Sequence, residues 1–131
     1  MSEPLTYTLN GKTDMKDKVG YAVYINVDAP VDGNPVGQLC TAAEPKILGI
    51  IKDGGTGIAK PITVVFSGRW YAVAGALVRA GKAVTSDADG KLVEAADGET
   101  AIGTALTGAS EADKIFQIFV DKHNFIVPSG S

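Results

Sequence analysis

Twelve lysines and arginines against fifteen acidic residues leave this 131-residue chain a formal net charge of −3, so it lacks the basic stripe that nucleic-acid binding needs. A single cysteine excludes an intramolecular disulfide framework, and one cysteine with one histidine falls short of a zinc ligand set. No apolar run approaches the ~20 residues of a membrane-spanning helix, and the start, MSEPLTYTLNGKTDMKDK, has no apolar leader core, which gives the expectation of a soluble protein made in the cytoplasm, with no membrane partner.

Residues 1–18 read as an extended N-terminal arm. Leu5, Tyr7 and Leu9 alternate with Thr6 and Thr8, a strand pattern, and TDMKDK follows as a polar tether. Such a strand has two roles open to it: adding to the edge of a partner's sheet through backbone hydrogen bonds, or forming an edge strand of its own sheet. Residues 19–127 then read as one β domain and 128–131 as a flexible tail. YAVYINV at 21–27 alternates, VDGN at 31–34 is a turn, and LGII at 48–51 runs into the turn DGG at 53–55. ITVVF at 62–66 alternates again behind Pro61. WYAVAGALVRA at 70–80 has a helical look broken by Gly75, while SEADKIFQIF at 110–119 opens with Ser110 and Asp113, which suit a helix cap. Because the second of these lies in register with ITVVF, where Pro61 and β-branched residues disfavour helix, both are read as strands. At most a one-turn helix is left at 110–113. SDADG at 86–90 and ADG at 96–98 are further turns.

The chain repeats itself. GQLCTAAEPKILGII at 37–51 is echoed by GKLVEAADGETAIGTAL at 90–106. Gly49, Gly54 and Lys60 match Gly103, Gly108 and Lys114, each 54 residues on, and Ile62, Val64 and Phe66 fall in register with Phe116, Ile118 and Val120. Gly37 and Leu39 match Gly90 and Leu92 at an offset of 53, and YAV at 21–23 recurs at 71–73. Two halves follow, at about 19–67 and 68–121. A half of this size is marginal alone, so the pair is expected to pack into a small closed or nearly closed all-β barrel or sandwich. Gly49 and Gly103, inside strands, are expected at bulges or close backbone approaches in equivalent corners.

Reactive chemistry finds little support. His123, in DKHNF, reads as solvated or capping, and Cys40, matched to Val93 in the echo, as a buried inert thiol. DGGTGIAK at 53–60 lacks the order of a phosphate loop, since Pro61 begins a strand where a helix should start. DADGK at 87–91 lacks the later glutamate of a calcium loop and reads as a hairpin turn. Asp87 with Asp89, and Asp97 with Glu99, are turn carboxylates. Neither an enzyme nor a cofactor or metal site is expected.

Within residues 64–120, a strand ends in Ser67-Gly68. The phrase VRAGKAVTSDADG runs from Val78 to Gly90, Ile102-Gly103 is followed by Ala105-Leu106, and a closing strand comes after a short loop. These features resemble the lambda-type head decoration, or capsid cement, proteins of tailed bacteriophages. The resemblance implies a small β-rich subunit of β-tulip type, often a homotrimer, bound through the major capsid protein to the outer surface of the expanded head and stabilising it. It also implies a capsid-binding arm, which would place Leu5, Tyr7 and Leu9 at the shell. Trp70 and Tyr71 are adjacent and so point to opposite faces of a strand. One belongs to the core and the other suits a subunit or capsid contact. The rival reading is a carbohydrate-binding or host-attachment module on a similar barrel.

Overall fold

Nine strands organise the computed structural model, which describes residues 4–31, 34–41, 47–57 and 60–127. They are β1 (Leu5–Gly11), β2 (Ala22–Val31), β3 (Asn34–Leu39), β4 (Gly49–Asp53), β5 (Pro61–Val73), β6 (Ala83–Ser86), β7 (Leu92–Glu94), β8 (Thr100–Ala105) and β9 (Ile115–Ile126). Neighbours run β1-β3-β2-β4-β5-β9-β8-β6-β7, and β1 pairs with β5 as well. That extra pairing closes β1 to β5 into a barrel, with β1 antiparallel to β5 and parallel to β3. Past Gly68, where φ is 113°, β5 leaves the first wall and pairs with β9. β9, β8, β6 and β7 complete a second circuit, and a parallel bridge between Ala74 and Leu92 returns β7 to the end of β5. The observed fold is therefore the expected small all-β barrel architecture built from two similar halves.

Hydrogen bonds repeat from one half to the other. Gly11 N–H donates to Lys60 O at 2.9 Å, as Ala74 N–H does to Lys114 O at 2.9 Å. Gly20 N–H donates to Ile51 O at 2.9 Å, and Gly81 N–H to Ala105 O at 2.8 Å. Cys40 N–H reaches Ala22 O at 3.0 Å, and Ala95 N–H reaches Ala83 O at 2.9 Å. In the β4/β5 ladder Ile50 faces Val65 and Ile51 faces Val64, and in the β8/β9 ladder Thr104 faces Phe119 and Ala105 faces Ile118, all 54 residues apart. A Cβ on Gly49 would collide with Val65 O, and one on Gly103 with Phe119 O. Both glycines thus sit at close backbone approaches in equivalent corners, beside ladders that shift register.

Two details of the echo are corrected. Tyr21–Val23 and Tyr71–Val73 are not counterparts: hydrogen bonding aligns KVGYAV at 18–23 with RAGKAV at 79–84, and Gly20 and Gly81 share φ values of 90° and 86°. β3 and β7 also align two residues away from the sequence match, since Val23 faces Leu39 where Val84 faces Glu94. A slip of two preserves which face a side chain points to, so the pattern alone did not reveal it. Cys40 is accordingly the counterpart of Ala95, not Val93. Residues 110–113 form no helix. The chain bends there, with Asp113 at φ 69° donating its N–H to Ala74 O at 2.7 Å.

Apolar side chains divide between two cores. Met15, Val23, Ile51, Ile62 and Val64 fill the first barrel. A larger cluster joins the second barrel's interior, including Leu92, Ile102, Phe116 and Ile118, to Ala22, Ile50 and Val65 on the outside of the first. β5 serves both, turning Ile62 and Val64 one way and Val65 and Ala72 the other.

Candidate binding surface

The register of β5 against β9 sorts their side chains. Trp70, Ala72, Phe116 and Ile118 lie on one face, and Arg69, Tyr71, Val73, Ile115, Gln117 and Phe119 on the other. The first face is core. The second meets solvent, yet Tyr71 is 47%, Ile115 68% and Phe119 44% exposed, and Leu106, whose N–H donates to Gln117 O at 2.7 Å, is 44% exposed. Large apolar side chains gathered on one face of a sheet suit protein contact. Arg69 and Gln117 border the patch, joined by a 3.5 Å hydrogen bond, and Thr107 Oγ1 accepts the Gln117 N–H at 2.9 Å.

Trp70 and Tyr71 divide as adjacent strand residues must. Trp70 packs against the larger core, and Lys52 Nζ lies 5.3 Å from its ring centroid. Tyr71 is the outward member, with its ring 5.6 Å from that of Trp70 at 68°. Leu5 and Tyr7 are each 51% exposed on β1, while Leu9 packs against the first core. β1 pairs with β5 from Leu5 to Asn10 and with β3 at Asn10 and Gly11. Of the two roles open to this segment, the fold gives it a strand of its own barrel. The arm residues and the Trp70/Tyr71 pair lie on different barrels.

Two grooves accompany these faces. One, of about 370 Å³, is lined by Lys18, Tyr21, Leu39, Cys40 and Thr41 of the first barrel and by Ala88, Asp89 and Lys91 from the β6–β7 turn. The other, of about 380 Å³, includes Arg79, Lys82, Ala83, Glu94, Ala95 and Phe125. Arg79 grips Glu94 through its own N–H at 2.8 Å, Nε at 3.0 Å and Nη2 at 2.9 Å. Hydrogen bonding from the guanidinium pulls the Glu94 carboxyl down to about 2. Lys91 pairs with Asp113 at 2.6 Å. Cys40 is fully buried, as expected of an inert thiol. The His123 side chain and residues 128–131 lie outside the described residues, and no group of three or more metal-ligating side chains occurs among those described.

No family model matches the sequence, and no curated protein does. Among solved structures, the N base of head fiber protein gp8.5 of bacteriophage phi29 superposes with a TM-score of 0.63 at 15% identity, over 94% of this chain and 98% of that one. The two chains share a fold. Because the likeness spans almost the whole of the head fiber base, it takes in both barrels.

The sequence reading missed Ile115, Phe119 and Leu106. A signal was present in KIFQIFV: Phe116, Ile118 and Val120 already supply the buried face, so Ile115 and Phe119 are apolar residues that the core does not need.

Proposed function

We propose that the protein is a structural component of a tailed-phage virion that binds the outside of the expanded head and stabilises the shell, with the major capsid protein as its partner. The shared fold with a head fiber base, over nearly all of both chains, carries this reading. The resemblance of residues 64–120 to decoration proteins points the same way. No reaction is required: a protein that binds the expanded lattice better than the precursor stabilises that state by its difference in affinity. Leu5 and Tyr7 would touch the shell through their half-exposed side chains. Tyr71 supplies an aromatic contact to shell or neighbour. In a homotrimer, one engaged subunit raises the effective concentration of the others.

Purified protein mixed with undecorated expanded heads should bind saturably and raise their resistance to heat, while precursor shells should bind little. Tyr7→Ala should weaken head binding by roughly tenfold. Equal binding to both shells would refute the stabilising role. Saturable binding to a glycan array with none to heads would favour the carbohydrate-binding alternative.

A further inference from the structure

The junction inside the chain shows how one of these barrels accepts another. Ala22, Ile50 and Val65, side by side on the outer wall of the first barrel, are each 0% exposed because the second barrel covers them. The β6–β7 turn seats beside them, with Gly90 O accepting the Ala22 N–H at 2.7 Å, and Gly20 O accepts the Val73 N–H at 3.0 Å. Ala88, Asp89 and Lys91 of that turn form one side of the first groove.

On the second barrel the matched positions are Ala83, Thr104 and Phe119. There Phe119, the counterpart of the fully covered Val65, is 44% exposed. In the matched groove Arg79, Lys82, Glu94 and Ala95 stand where Lys18, Tyr21, Leu39 and Cys40 stand in the first; the first takes one side from the β6–β7 turn, whereas the described lining of the second comes from the second barrel alone. Thus the wall position that is covered in the first barrel is uncovered at its counterpart in the second.

We infer that the open end of the second barrel binds the first barrel of another copy of this chain, seating its β2–β3 hairpin as the β6–β7 hairpin is seated within the chain. The occupant follows from the equivalence: β2–β3 is the counterpart of β6–β7, and both pair antiparallel next to their closing strands. Arg79 and Lys82 line the receiving groove. A head-to-tail contact closes into a ring if the rotation allows and otherwise extends. This holds whether or not the protein binds phage heads.

Sedimentation of the full chain over a concentration series is the first test, with association expected and weakened by roughly tenfold or more in Phe119→Glu, a solvent-facing change. Cysteine pairing sets the direction: Asp97→Cys beside the open groove and Asn34→Cys at the start of β3 should form a disulfide-linked dimer on oxidation when mixed, and much less when either is alone. The buried Cys40 does not compete. A monomer at every concentration overturns the inference. So does cross-linking of Asp97→Cys with itself, association indifferent to Phe119→Glu, or a Phe119→Glu variant that loses head binding while associating normally.

Discussion

The Arg79–Glu94 pair gives the molecule a calculable response to acid. Hydrogen bonds from Arg79 favour the charged carboxylate and lower its pKa from 4.5 to about 2. A folded-state value below the unfolded one means that the contribution is complete above about pH 4.5 and is lost as the pH falls towards about 2. Glu94→Gln should therefore melt below the parent at neutral pH, with the gap closing through that window. Thermal melts across the range test it, and a gap that persists at the acid end would refute the assignment. Two glycines offer a second comparison at this scale. Gly98→Ala meets open space and costs about 1 kcal/mol for its φ of 83°. Gly103→Ala drives a methyl group into Phe119 O and should cost about 1–3 kcal/mol or more, read from denaturant midpoints.

Strand β9 carries two functions on its two faces. Ile118 is fully buried, so Ile118→Ala should cost about 2–5 kcal/mol. Its neighbour Phe119 faces solvent, and Phe119→Ser should change stability by less than about 0.5 kcal/mol. Equal costs by urea unfolding would mean that the patch is core. β1 behaves differently from the arm that its alternation suggested. Removing residues 2–12 takes a wall strand from between β3 and β5 and should lower the melting temperature by roughly 10 °C. That loss would obscure any effect on head binding, which is better tested by Tyr7→Ala. Leu5, Tyr7 and Leu9 announce a strand. Nothing local to them announces that the strand pairs within its own barrel, because the partners lie 26 and more residues away in β3 and β5.

The two barrels unfold together if the junction is as continuous as their shared cluster. Ala22, Ile50 and Val65 belong to the same packed group as Ile102 and Phe116, and β5 runs through both walls. A single calorimetric transition is expected, and Ile62→Ala, deep in the first barrel, should lower the midpoint reported by second-barrel probes as well. Two separated transitions would show that each barrel stands alone. The same continuity makes the unmatched end of the second barrel informative: one junction is satisfied within the chain and its counterpart is left open.

Local chemistry was enough to specify the β class, the turns at Asp89-Gly90 and Asp97-Gly98, and the equivalence of Gly49 with Gly103, because alternation, turn propensity and a glycine forced by a close approach are properties of short segments; the turn expected at 31–34 centres on residues outside those described. The burial of Cys40 was inferred from a match to Val93 that the fold replaces with Ala95, which is small and apolar as well. Tertiary structure alone decided that Leu5–Gly11 is barrel wall, that β7 is displaced by two residues from its apparent match, and that Phe119 is uncovered where Val65 is sealed. Each depends on which distant strand lies alongside. Side-chain alternation repeats every two residues and carries no record of that partner.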